Sequence, residues 1–365
     1  MEHRASKFNW PLLVITLAIL FIGLINLYSA VYYWGEGKEA AIFISQFIWI
    51  GIGLTFMGVA IFTNYRFYHR AAFYIYILIN LLLVIALLFG KAIKGTSGWI
   101  HIGSFSFQPT EFAKLAFIIA LAKYYSEHPS LEGFSLKDLI KPFLLMLLPF
   151  CLIVLQGDMG SSLFFILIFA TLALFVKIKR YSLILLLAVG LVAGGLVYQF
   201  GLKDYQRSRI LNFVHPEQDV RGSGYHLVQS KIAVGSGMFW GKGYLKGNIN
   251  KLRYLPERHT DFIFPVFAEE WGFLGCLVVL FLFAALLLVG VEVASRARDR
   301  FGMILATGIV AMMFWQIVIN LGGVLGLMPL TGVTLPLMSY GGSSMMVVLI
   351  ALGMLENISR RRFMF

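Results

Sequence analysis

Charge is scarce in this 365-residue chain: Asp, Glu, Lys and Arg make up 13% of it, about half the share usual in a soluble domain. That scarcity excludes an ordinary water-soluble fold. Cysteine is scarcer still. Cys151 and Cys276 both fall inside apolar runs, which argues against a disulfide framework or a thiolate metal site. The sequence lacks internal repeats and low-complexity tracts. It also lacks the matched broken segments expected of an inverted-repeat transporter and the alternating ten-residue segments of a membrane β-barrel. The basic stretch "MEHRASK" precedes an apolar run too long for a signal peptide, without a small-x-small cleavage site, so an uncleaved first helix is expected.

What the chain has instead is 59% hydrophobic residues, arranged in ten apolar runs. They cover about 10–33, 41–62, 71–90, 108–124, 142–156, 160–177, 181–199, 263–293, 301–325 and 340–357. Helices satisfy every backbone group within lipid, so the expected fold is an all-α polytopic integral membrane protein. It forms a single membrane domain over 1–365, with a long loop at 200–262 before the eighth helix. The fifth run is short, and the sixth follows after only "QGDMGSS"; the two are ordinary helices or a hairpin that barely crosses.

Loop charge orients the bundle. One set of alternating loops carries Arg4, Lys7, Arg66, Arg70, Lys123, Lys137, Lys141, Lys177, Lys179, Arg180, Arg296, Arg298, Arg300, Arg360, Arg361 and Arg362. The short loops of the other set hold only Lys38, Lys91 and Lys94. The positive-inside rule then puts both termini in the cytoplasm and the long loop outside. Within that loop, "YHLVQSKIAVGSGMF" suggests a short helix, lying at the membrane interface or packed on the bundle.

This topology gathers four polar clusters at the outer helix ends. "QPTEFAKL" opens the fourth span, with Glu111 and Lys114 three apart on one face. They are a self-neutralising ion pair or part of a cavity. "QGDMGSS" places Asp158 before the sixth span, where it could simply cap the helix. "ERHTDFIF" places Asp261 at the mouth of the eighth, where it or Thr260 could cap. "MSYGGSS" puts Ser343 and Ser344 behind two glycines that could equally serve close packing. Glu269 and Glu270, two turns deeper, read as structural, and His259 as a solvated loop histidine. Ionisable groups at a membrane usually face a polar cavity or a pathway. An enzyme for a membrane-bound anionic substrate and a transporter with a carboxylate relay both fit.

At these motifs the sequence resembles the SEDS family (shape, elongation, division and sporulation), and within it the RodA branch. The resemblance rests on "GTSGWIHIGSFSFQPTEFAKL", "QGDMGSS", "QSKIAVGSGMFWGKG", "LPERHTDFIFPVFAEEWGFLG" and "PLTGVTLPLMSYGGSSMM". The chain departs from it at Met238–Phe239–Trp240, where the family often has glycine and smaller residues. The resemblance implies a peptidoglycan glycosyltransferase of the bacterial cytoplasmic membrane, with its active site on the extracytoplasmic side. Such an enzyme polymerises undecaprenyl-pyrophosphate-linked lipid II for cell-wall elongation and rod shape. Its partners are a class B penicillin-binding protein and other elongation-complex proteins, with no nucleic acid. Asp261 matches the family's catalytic aspartate. Trp99, Glu111, Lys114, Asp158, Ser343 and Ser344 match positions that line or shape its cavity.

The chemistry accounts for these residue types. Joining an α-linked donor in a β-1,4 bond inverts the anomeric carbon, so a base must take the acceptor's 4-hydroxyl proton. Asp261 is the expected base. Pyrophosphate departs as an anion and calls for cations rather than a proton donor. Lys114, Arg207, Arg209, Lys231 and Arg258 are the candidates, with the N-terminus of the tenth helix. A divalent cation, Mg²⁺ or Mn²⁺, on Asp158 or Asp261 would also serve, although no motif requires it. The alternatives are a lipid II flippase and a non-catalytic scaffold that activates a transpeptidase. Few polar residues lie in mid-span, chiefly Asn80, Gln316 and Asn320, which disfavours a path through the membrane.

Overall fold

The computed structural model describes residues 8–361, except 34–37, 94–95, 103–104, 131, most of 197–221 and most of 249–256. Arg209 lies outside the described residues, as do Arg4, Lys7, Lys94 and Arg362. Every expected span is helical. The elements are α1 (Trp10–Val31), α2 (Lys38–Phe62), α3 (Tyr65–Phe89), α4 (Pro109–Glu127), α5 (Leu136–Leu155), α6 (Met159–Phe175) and α7 (Arg180–Leu196). They continue with α8 (Ser223–Ser236), α9 (Ile263–Ser295), α10 (Arg300–Leu325) and α11 (Gly342–Arg361). Among the described residues, seven helices are long and apolar enough to cross a membrane.

The fifth span is a full helix. It starts at Leu136 rather than near 142, because Ser135 and Asp138 form a capping box at its start. Pro142 lies inside the helix. The chain is also not purely helical. Between α3 and α4, β1 (Lys91–Ile93), β2 (Thr96–Ile102) and β3 (Phe105–Phe107) form an antiparallel sheet in that order. Ile100 pairs with Phe107 and Ile102 with Phe105. A sheet so placed satisfies backbone that would otherwise need water at the bundle end.

Helices α4, α10 and α11 are the most enclosed, while α2, α3 and α9 turn large apolar side chains such as Phe56, Leu81 and Phe281 outward. Small residues permit close contact between helices: a Cβ on Gly342 at the start of α11 would overlap the Trp49 ring of α2. Of the two readings of α8, packing on the bundle holds. Leu227 and Ala233 are buried, and Ser230 Oγ donates to the Val324 carbonyl of α10 at 2.7 Å.

The two bundle ends differ in character. At one, Asn357 of α11 donates to the carbonyls of Ala60 at 3.0 Å and Ile61 at 2.7 Å, near the arginines that close α11. The other end gathers the C-terminal ends of α1, α5 and α10, the N-terminal ends of α4, α6, α9 and α11, and the segment 326–341. The later part of that segment is buried, with Leu335, Leu337, Met338 and Ser339 almost fully enclosed.

Candidate active site

Helix α4 begins at Pro109, whose ring suits a first helical turn, with Glu111 in that turn. Lys114 Nζ donates to Glu111 Oε1 at 2.8 Å and lies 4.7 Å from the centroid of the Phe164 ring. Both partners are buried. Glu111 Oε2 and the neighbouring Thr110 hydroxyl have no hydrogen-bond partner among the described residues. The pair is therefore closed on one oxygen only, and the other keeps its accepting capacity.

Gln108, just ahead of α4, is a strut that the sequence reading missed. Its backbone N–H donates to Ser343 Oγ at 2.9 Å, and its side-chain amide donates to Asp158 Oδ2 at 3.4 Å. It thereby ties α4 to the starts of α11 and α6. Asp158 does cap α6, accepting from the Ser161 N–H at 3.0 Å through Oδ1. Ser344 Oγ accepts from Thr334 at 2.9 Å.

The segment 326–341 joins these residues to Asp261. A Cβ on Gly160, two residues beyond Asp158, would strike the Thr331 carbonyl. A Cβ on the next residue, Gly332, would lie 3.5 Å from Asp261 Oδ2. Gly332 has φ +75°, which a side chain rarely adopts. Thr331 and Gly332 therefore bridge the α6 start that Asp158 caps and the Asp261 carboxylate.

Asp261 sits on a turn whose backbone is held at three consecutive residues. Tyr340 N–H donates to the His259 carbonyl at 2.9 Å. Ser339 Oγ donates to the Thr260 carbonyl at 2.6 Å, and Asn320 Nδ2 to the Asp261 carbonyl at 3.0 Å. Asn320 also donates to the Val333 carbonyl at 2.6 Å, so one amide locks the turn to segment 326–341. The cap residue of α9 is Phe262, with no side-chain cap bond. Asp261 lies one residue ahead of that cap position, and the Thr260 hydroxyl donates to the Glu257 carbonyl at 3.2 Å. The backbone that carries this carboxylate is thus fixed at three successive residues, the kind of support that preorganises a functional side chain.

Arg258, a candidate cation for the pyrophosphate, is one of the largest fully buried side chains, and His259, expected as a solvated loop histidine, is partly enclosed too. The His259 ring lies 5.7 Å from that of Tyr340. Both residues are drawn inward with the pinned turn. Lys231 lies farther along: its side-chain end covers Gly326, which caps the C-terminal end of α10. A cation there complements the helix dipole, about 9 Å along α10 from Asn320 at 1.5 Å per residue. Trp99 lies half-buried on β2, opposite Lys91. Its strand is tied to the end of α5 by a 3.0 Å bond from Ser97 N–H to the Gln156 carbonyl.

The expected acids therefore meet at one bundle end, in a frame of backbone bonds. The same motifs match a model of the cell cycle protein family of FtsW, RodA and SpoVE over residues 10–363. The chain belongs to that family. Within the FtsW/RodA/SpoVE family it is 37% identical over 355 residues to the peptidoglycan glycosyltransferase MrdB of Escherichia coli K12, covering 96% of this chain and 94% of that one. It is 36% identical to stage V sporulation protein E of Bacillus subtilis, covering 99% of each chain. Among solved structures, it resembles a chain from work on the coordination of polymerization and crosslinking by a peptidoglycan synthase complex. The TM-score is 0.85 at 31% identity, over 98% of this chain and 99% of that one. It also resembles the rod shape determining protein RodA of Thermus thermophilus, with TM-score 0.72 and 29% identity over the same shares.

Proposed function

We propose that this protein is an inverting peptidoglycan glycosyltransferase that extends glycan strands from lipid II, with Asp261 as the base. The observation that carries the reading is the Asp261 turn, held at three successive carbonyls at the start of α9. The family relationship supports the activity. The relatives named MrdB, RodA and FtsW are peptidoglycan glycosyltransferases.

In this reading, ten helices cross the bacterial cytoplasmic membrane, both termini are cytoplasmic, and the Asp261 end faces outward. The basic end at Arg360 and Arg361 supports that orientation. Asp261 takes the proton of the acceptor's 4-hydroxyl as that oxygen attacks the anomeric carbon from the face opposite the pyrophosphate. The departing pyrophosphate needs positive charge, and Lys114, Lys231 and Arg258 are cations at this end. Trp99, Glu111, Asp158, Ser343 and Ser344 border the cavity. Among the described residues, no group of three or more His, Cys, Asp or Glu side chains could hold a metal. A divalent cation on Asp158 or Asp261 would therefore draw its other ligands from the pyrophosphate and water. A class B penicillin-binding protein is the expected partner, in line with the synthase complex that the chain resembles.

The flippase reading is weaker. Of the polar residues inside the spans, Asn80 bonds back to the Tyr76 carbonyl of its own helix at 2.7 Å, and Asn320 belongs to the Asp261 end. Detergent micelles separate the two readings, because they have no second leaflet. Purified protein with its transpeptidase partner should convert lipid II to glycan strands in micelles. Lipid II left unpolymerised there by a folded complex would favour the flippase or scaffold roles.

A further inference from the structure

Helix α9 is broken at Gly272, where φ is 65° and ψ −163°. In a continuous helix, the N–H groups of Phe273 and Leu274 would donate to the carbonyls of Glu269 and Glu270. Here residues 238–243 are inserted between them. Phe273 N–H donates to the Met238 carbonyl at 2.8 Å, and Leu274 N–H to the Phe239 carbonyl at 3.2 Å. On the other side of the break, Lys242 and Gly243 N–H donate to the carbonyls of Glu269 and Glu270, each at 3.0 Å. The loop thus replaces two lost helix bonds with four of its own. Glu269 secures it from beneath: its buried Oε1 accepts from Lys242 Nζ at 2.6 Å and Asn248 N–H at 2.9 Å.

The tip of this clasp is the chain's departure from its family resemblance, Met238–Phe239–Trp240. Met238 is 81% exposed, Trp240 77% and Phe239 50%, so the tip presents three large apolar side chains outward. They continue the outward apolar face of α9. The Phe239 ring lies 5.9 Å from that of Phe273, and Phe273, Leu277 and Phe281 extend the exposed stripe along the helix. Aromatic side chains at the level where a spanning helix leaves the bilayer match the boundary between acyl chains and headgroups.

We propose that Met238–Phe239–Trp240 is an interfacial lipid anchor, through which the bilayer surface holds the clasp and hence the broken upper segment of α9. The occupant is lipid because the tip continues the exposed apolar stripe of a helix long and apolar enough to cross a membrane. The inference rests on the orientation given above only in naming the outer leaflet.

Nitroxide accessibility tests it on the full chain in phosphatidylglycerol-containing vesicles, with Cys151→Ala and Cys276→Ala as background. One label goes at Met238→Cys. The controls are Phe281→Cys, about 12 Å deeper along α9 than Phe273, and Lys246→Cys in the loop. The label at 238 should collide with oxygen in preference to a water-soluble nickel chelate, more so than at 246 and approaching 281. A label at 238 that behaves like the one at 246 lies in water and overturns the proposal. One that meets neither reagent is covered by protein and overturns it equally. Should Met238→Cys fail to fold, Trp240→Cys carries the same label. Reaction of Lys246→Cys with a membrane-impermeant maleimide on intact cells reports the leaflet separately, so a wrong orientation is not mistaken for a missing anchor.

Discussion

Replacing Asn320 with alanine removes one amide that holds two carbonyls, those of Asp261 at 3.0 Å and Val333 at 2.6 Å. Each carbonyl loses its partner in a largely enclosed site. Summed from soluble and membrane-protein measurements, the loss of stability is about 1–4 kcal/mol. The catalytic effect should be larger. Asp261 would lose one of the three bonds that hold its turn, and a shift of about 1 Å in a reacting group can cost roughly 10²-fold in rate. The carboxylate itself remains, so the loss should fall on kcat with KM little changed. The assay is strand formation from lipid II, normalised to folded protein by size exclusion and run well below the Tm. Asn357→Ala is the control, because it strips comparable bonds to Ala60 and Ile61 at the opposite bundle end. It should lower Tm similarly and leave kcat unchanged. If both variants lose activity only in proportion to their folded fraction, the pinned turn does not position the base.

Other perturbations separate structural from chemical roles. Breaking the buried Glu111–Lys114 pair with Glu111→Gln or Lys114→Met should cost about 3–5 kcal/mol. The double change to apolar residues should restore most of the stability but not strand formation; recovery of both in a thermal and a polymerisation assay would make the pair structural only. Asp158→Asn should keep the α6 cap and its Tm, since Asn and Asp cap equally well, while Asp158→Ala loses about 1 kcal/mol. Strand formation should fall in both, and full activity in Asp158→Asn would leave only the cap.

The apolar runs were legible because a membrane demands them, and a helix stands at each, seven of them long and apolar enough to cross a membrane among the described residues. Helix α5 starts ahead of the expected run at 142, and the Ser135–Asp138 capping box marked that start. The sheet escaped notice although "GWIHIGSFSF" alternates and carries a turn signal, a pattern that favours a hairpin. Asp261, Glu111, Lys114 and Asp158 could be found because charge near lipid is rare enough to stand out. The burial of Arg258 and His259 could not, since a charged stretch beside a long loop gives no sign that another segment covers it. Asn320 had a signal as a rare polar residue in an apolar run, but its partner carbonyls are backbone atoms with no residue signature. The clasp on α9 is backbone-made too. Only Gly241, Gly243 and Gly272, each with positive φ, hinted at it.

The most direct test of the account is strand formation from lipid II by Asp261→Asn beside wild type, each purified with the transpeptidase partner. Asparagine keeps the shape of the side chain and the pinned backbone, yet it cannot accept the acceptor's proton. The account predicts polymer from wild type and none from a variant with the same Tm and the same partner binding. Equal polymer from both would contradict it and remove Asp261 from the chemistry.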